Sequence, residues 1–156
     1  LYEGQFINGK CHGEGKSTFE DGSFYEGQWV EDMQHGKGKI TFEDGSCYEG
    51  ELIEDMKHGQ GKYSFENGTF YEGQWVEDMQ HGKGKLTFED GSFYDGQWHE
   101  DTKHGFGKYY ANSEECVFEG EFEKDKRHGN GTLTFIFHRI KYDCTYKEGK
   151  LVSKEV

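Results

Sequence analysis

Six histidines precede glycine at a fixed step: His12, His35, His58, His81 and His104 lie 23 residues apart, and His128 follows after one extra residue. A row of imidazoles suggests a metal site or a titrating ladder. Equivalent residues in stacked two-stranded units are about 10 Å apart, whereas two imidazoles on one zinc need nitrogens within roughly 3.5 Å. The step excludes coordination along the ladder, so the histidines read as holders of a strand-to-strand loop, with a pH-sensitive row as the sharper alternative. The acidic pairs Glu31-Asp32, Glu54-Asp55, Glu77-Asp78 and Glu100-Asp101 form one stripe, and Glu20-Asp21, Glu43-Asp44 and Glu89-Asp90 another. A calcium loop needs D-x-D-x-D-G, which is absent. The stripes read as solvated rims or as steering toward a basic partner. Cys11, Cys47, Cys116 and Cys144 show no CxxC and no repeated spacing, which argues against a disulfide framework or zinc site and for a reducing compartment. G-x-S-x-G is missing, and the recurrent G-K-G-K falls in a strand rather than before a phosphate-binding helix. The expectation is no enzyme, no metal and no cofactor.

The elements that position these residues are short. Tyr-acid-Gly recurs at Tyr2, Tyr25, Tyr48, Tyr71 and Tyr94, then as Phe118-Glu119-Gly120. Asp-Gly or Asn-Gly recurs at Asp21, Asp44, Asn67 and Asp90, and residues 25–47 differ from 71–93 only at Ile40/Leu86 and Cys47/Phe93. Each unit reads as two strands, Phe24 to Val30 and Gly36 to Phe42, with period-2 patterning and no 3.6-residue stripe. A two-residue Asp-Gly turn would split the apolar residues between both faces of the sheet. A three-residue loop Glu43-Asp44-Gly45 instead pairs Phe42 with Ser46 and Ile40 with Tyr48. That register sets Lys16, Lys39, Lys62 and Lys85 opposite Glu26, Glu49, Glu72 and Asp95, and Gly13, Gly59 and Gly82 opposite Trp29, Trp75 and Trp98. Gly27, Gly36 and Gly38 then leave room for rings lying over bare backbone.

Composition agrees. The chain has 156 residues, 24 Gly, no Pro and a net charge of −13, with aromatic rather than aliphatic apolar residues. Such charge would suggest disorder but for the aromatics. It argues against nucleic acid, and no apolar run is long enough for a transmembrane span. No signal peptide is read, and a start at Leu1 without Met is compatible with a fragment. The charge is uneven: residues 1–125 hold 11 Lys/Arg against 28 acids, and residues 126–156 hold seven against three.

The unit Tyr71-Glu72-Gly73-Gln74-Trp75, His81-Gly82-Lys83-Gly84, Asp90-Gly91 resembles the MORN (membrane occupation and recognition nexus) repeat, Y-x-G-x-W-x-x-G-x-x-H-G-x-G followed by D-G. The resemblance spans residue 2 to about residue 135 in six copies. Departures are Asp32, Asp55, Asp78, Asp101 and Asp125 where Gly9 keeps the pattern, Leu52, Phe6 and Phe122 in place of Trp, and the loss of the D-G turn in residues 109–118, which leaves the hairpin geometry there open. Asp tolerates a left-handed backbone, so the loop should survive. The resemblance implies a scaffolding module, as in radial-spoke heads of cilia, parasite cytoskeletal rings and junctophilins, or a flank of catalytic domains.

The expected fold is all-β: a single-layer, elongated, twisted antiparallel sheet of stacked 23-residue β-hairpins with a groove. Residues 1–135 form the six repeats, and residues 136–156 a worn seventh repeat that either caps the last edge or docks a partner or second copy. A single layer has nothing to cover its aromatic face. The expected partner surface is therefore Tyr25, Trp29, Tyr48, Tyr71, Trp75, Tyr94 and Trp98, though internal packing competes for the same rings. Phe24, Phe70 and Phe93 form a second row on the opposite face. The expected function is a non-enzymatic scaffold for a helical or extended protein segment with basic flanks, cytoplasmic and in a cytoskeletal, ciliary or axonemal assembly. Alternatives are a membrane-lipid tether, which the charge disfavours, and a regulatory segment of a larger enzyme.

Overall fold

The structure, a computed structural model, describes residues 1–156. It contains fourteen strands, no helix and two compact units, residues 1–79 and 80–156. In the first unit β1 (Tyr2–Ile7), β2 (Lys10–Thr18), β3 (Phe24–Val30) and β4 (Met33–Thr41) are followed by β5 (Cys47–Ile53), β6 (Met56–Ser64) and β7 (Phe70–Val76). The second holds β8 (Met79–Thr87, whose first residue belongs to the first unit), β9 (Phe93–His99), β10 (Thr102–Ala111) and β11 (Cys116–Glu123). It ends with β12 (Lys126–Phe135), β13 (Ile140–Lys147) and β14 (Lys150–Glu155). Within each unit every strand pairs antiparallel with its neighbours in chain order.

Two kinds of turn alternate. The longer one is the three-residue Asp-Gly loop. Phe42 N–H donates to the Ser46 carbonyl at 2.9 Å, Gly45 has φ +86°, and Ile40 faces Tyr48. Asp44 Oδ1 accepts from Ser46 N–H at 2.9 Å and from its hydroxyl at 2.6 Å, an Asx-type lock that Asp21 and Asp90 repeat with Ser23 and Ser92. The register puts Lys16 opposite Glu26, Lys39 opposite Glu49, Lys62 opposite Glu72 and Lys85 opposite Asp95, as the charge pattern predicts. The shorter turn is the two-residue Glu31-Asp32, with φ of +49° and +70° and Val30 facing Met33. Both central residues are left-handed, the arrangement that matches strand twist in two-residue hairpins. Gly9 holds φ +78° in the first copy, so Asp32, Asp55 (+67°), Asp78 (+68°), Asp101 (+64°) and Asp125 (+68°) keep its geometry.

The glycines divide into two jobs. Gly38 is extended and lies under the Tyr25 ring, where a Cβ would sit 2.3 Å from the ring atoms. Gly36 instead has φ +71° in a bulge, since the span Gly27 to Trp29 on β3 faces the longer span Gly38 to Gln34 on β4. Its place in the sequence suggested room beneath a ring; the structure shows that it serves backbone conformation. Residues 109–118 keep a hairpin without an Asp-Gly turn. Ala111 faces Cys116 across a loop in which Glu115 N–H donates to the Asn112 carbonyl at 3.2 Å. Beyond residue 135, β13 and β14 form a further hairpin in which Cys144 faces Gly131, as Gly27 faces Gly15.

Candidate functional site

Each strand pair offers an aromatic face and a polar face, and they differ in what they leave open. On the aromatic face, Tyr25, Trp29, Tyr48, Tyr71, Trp75, Tyr94 and Trp98 are only 0–6% exposed. Tyr25 packs edge-on to Trp29 (5.1 Å between centroids), and Trp29 also meets Tyr2 of the preceding repeat (5.3 Å). Tyr48–Trp75 (5.5 Å) and Tyr94–Phe122 (5.0 Å) repeat that inter-repeat contact. The polar tips are satisfied as well. The hydroxyls of Tyr25, Tyr48 and Tyr94 donate to the carbonyls of Gln28, Glu51 and Gln97, and the Trp29, Trp75 and Trp98 indoles donate to Gly15, Gly61 and Gly84. Burial pushes the Tyr25 phenol up to about 12 and raises Tyr48 and Tyr94 as well. Lys57 lies 5.4–5.9 Å from the Tyr48, Tyr63 and Trp75 ring centroids, and Arg127 caps Phe118 at 4.8 Å. These seven rings therefore act as the core, because successive repeats cover one another's aromatics without a second layer. Buried rings offer a partner no surface, so the expectation that they line an open groove is replaced by packing.

Phe24, Phe70 and Phe93 do lie on the opposite, polar face, half-buried beside the Asp-Gly turns. Lys16, Lys62 and Lys85 place their ammonium groups 4.6, 4.3 and 4.3 Å from those ring centroids. The cross-strand charge pattern sets register, yet these lysines settle on aromatic faces; Lys108–Glu119 at 3.1 Å is the facing pair that closes as an ion pair. Between the Phe row and the two-residue turns runs a trough of about 580 Å³ in the first unit. Glu14, Glu26, Glu49, Glu51, Lys37 and Lys39 line it over the backbone of Gly27, Gly38 and Gly50. The second unit has two counterparts, one of about 300 Å³ with Lys83, Lys108 and Asp95 and one of about 540 Å³ with Glu119, Thr132 and Asp143, both bordered by Phe106.

The acidic pairs split into two roles. Asp55 Oδ1 accepts from Gln34 N–H at 2.8 Å while Asp55 N–H donates to the Gln34 carbonyl at 3.0 Å, tying a turn to the preceding repeat. Asp32, Asp78, Asp101 and Asp125 do the same at Cys11, Lys57, Gln80 and Lys103. The Glu members remain solvated. These Asp residues are therefore staples, a function that sequence reasoning missed although the 23-residue step placed the residues correctly. The row Ile7, Val30, Ile53 and Val76 was missed too; its signal was the period-2 continuation one residue past each Trp, Leu or Phe.

Burial raises the Cys116 and Cys144 thiols, the reverse of an activated nucleophile. No group of three or more His, Cys, Asp or Glu has a geometry that would hold a metal ion. His81 and His104 flank His99, with ring centroids 5.2 and 5.8 Å away, so the ladder histidines sit between the residues that precede the short turns.

Fold and faces together define a class: an all-β repeat protein whose interior is consumed by inter-repeat packing and whose chemistry is confined to its surface. The chain belongs to the MORN repeat family, whose pattern matches residues 2–24, 25–47, 48–70, 71–93, 94–114 and 118–136. That family is one of non-catalytic repeats. No curated protein sequence matches the chain. Among solved structures it is similar to the TCP domain of Drosophila melanogaster SAS-4 (dCPAP), determined in complex with a proline-rich motif of Ana2 (dSTIL). The identity is 12% over 92% of this chain and 82% of that one, with a TM-score of 0.50, a likeness of fold.

Proposed function

We propose that this chain is a protein-interaction scaffold, cytoplasmic and part of a cytoskeletal or ciliary assembly, that holds an extended partner segment across its strands. One observation carries the reading: within each compact unit every 23-residue repeat returns the same side-chain slots to the polar face at a step of about 10 Å, while the seven Tyr and Trp rings of the other face are buried. A periodic open face beside a sealed core is a template for a partner that runs across the strands. The family supports the scaffold role, and the SAS-4 TCP domain, similar in fold, was determined in complex with a proline-rich motif.

The test is cross-linking and mass spectrometry of the chain with proteins that co-purify with it. Lys16, Lys37, Lys39, Lys62 and Lys85 are built-in reporters of the polar face. Cross-links from these lysines to one partner segment are expected. Retention of no protein, or cross-links confined to the β14 end, would sink the reading.

A further inference from the structure

In the first unit the residues that precede each short turn form an exposed aliphatic row: Ile7 (52% exposed), Val30 (37%), Ile53 (41%) and Val76 (36%). Val30 and Ile53 face Met33 and Met56 across their turns, which widens the row. Each lies on the face opposite the neighbouring Phe6, Trp29, Leu52 or Trp75, hence on the side of the trough. In the second unit the same slots hold His99, Glu123 and Lys147. The fold therefore does not require aliphatics there, and four of them at equal steps mark a contact surface.

We propose that this face of the first unit docks a polyproline II segment with an apolar residue at every third position and Lys or Arg between. The inference rests on the scaffold reading and names the partner's chemistry. Pitch selects the conformation. Two strand spacings amount to about 9.6 Å, and three residues of polyproline II rise about 9.3 Å and return to the same side. An α-helix needs seven residues and about 10.5 Å, so over the three intervals from Ile7 to Val76 it drifts by roughly 3 Å against roughly 1 Å. A β-strand rises a similar distance in three residues but turns its third side chain to the other face. Charge selects the intervening residues. The first unit holds seventeen acids against six Lys, a net −11, whereas the second holds fourteen acids against twelve Lys/Arg, a net −2. Glu14, Glu26, Glu49 and Glu51 line the trough beside the row, where their carboxylates can pair with Lys or Arg of a bound segment.

The experiment measures binding of the whole chain, by fluorescence anisotropy, to a twelve-residue peptide repeating Val-Pro-Arg four times. A scrambled peptide of the same composition and an amphipathic helical peptide with the same number of Arg serve as controls. The period-three peptide is expected to bind at least about tenfold more tightly than either. The Val30→Thr, Ile53→Thr, Val76→Thr triple variant, which keeps β-branched residues at half-exposed sites, should lose about tenfold or more, whereas His99→Thr should change nothing. Equal binding of the scrambled peptide, an unaffected triple variant, or tighter binding of the helical peptide overturns the assignment. Should no peptide bind, this inference falls while the scaffold reading stands or falls on the cross-linking result.

Discussion

Tyr25 and Tyr94 fill the same slot in the two units, and they behave alike. Each is fully buried, donates its hydroxyl to the carbonyl three residues on, and lies against the glycine of the next strand. Val30 and His99 also fill one slot, and they share nothing but position. The interior slots are dictated by geometry, because a ring must cover bare backbone and its polar tip must find a carbonyl. The outer slots answer to nothing inside the protein, so they are free to differ, and most of the difference between the first unit's net −11 and the second's −2 arises there. The second unit also relaxes inside toward the chain end. Phe118 and Phe122 replace Tyr and Trp and give up their hydrogen bonds, and Lys154 stands where Gly38 stands, its ammonium 3.6 Å from the Tyr142 ring centroid. With a side chain in that slot, Tyr142 is half-buried where Tyr25 is fully buried, and there this hairpin departs from the rest.

If the interiors are equivalent, Trp75→Ala and Trp98→Ala should each cost about 3–5 kcal/mol in urea unfolding, and costs differing by more than about 1.5 kcal/mol would break the comparison. Trp75→Leu should be milder, about 1–2 kcal/mol, since Leu52 already fills that slot at 1% exposure. Gly38→Ala should cost about 3 kcal/mol through collision with the Tyr25 ring, while Lys154→Gly, which restores the bare strand, should cost less than about 1 kcal/mol.

Next in size are the staples. Asp55→Gly preserves the left-handed turn, as Gly9 does, but removes the bond to Gln34, and about 1 kcal/mol should be lost. A loss under about 0.3 kcal/mol would show that turn conformation alone matters there.

The phenols give a pH signature. Burial raises Tyr25 to about 12, above its ordinary value near 10. The neutral phenol is favoured in the folded state, so its stabilisation is complete below about pH 10 and is lost as pH rises toward 12. Denaturant titrations at stepped alkaline pH, read with tyrosinate absorbance, should show stability falling through that window. A flat profile would place the rings in water. Smallest of all, the Val30, Ile53 and Val76 Thr triple variant should shift stability by no more than about 0.5 kcal/mol per site, separating a docking row from a packing row.

Much of this protein was legible in its residues. Period-2 patterning and the 23-residue step specify hairpins. Parity, which forbids splitting apolar residues between faces, specifies the Asp-Gly loop, so Ile40 opposite Tyr48 and Lys39 opposite Glu49 follow from the residues alone. Asp32 standing in for glycine follows from its tolerance of the left-handed backbone. These are local rules, decided by neighbours a few residues away or by strict periodicity.

Contacts between repeats were not legible. Whether Trp29 is open or sealed depends on a Tyr 27 residues earlier, Tyr2, meeting it at 5.3 Å. Whether Lys16 pairs with Glu26 or rests on Phe24 depends on side-chain reach rather than register. The second oxygen-bearing end of each Glu-Asp turn, bonded 21 residues back, looked like a solvated rim for the same reason. Alternation and turn chemistry act through the chain and can be read along it. Burial is a property of what stacks on what, and that is why the tertiary structure moved the candidate surface from the rings to the opposite face.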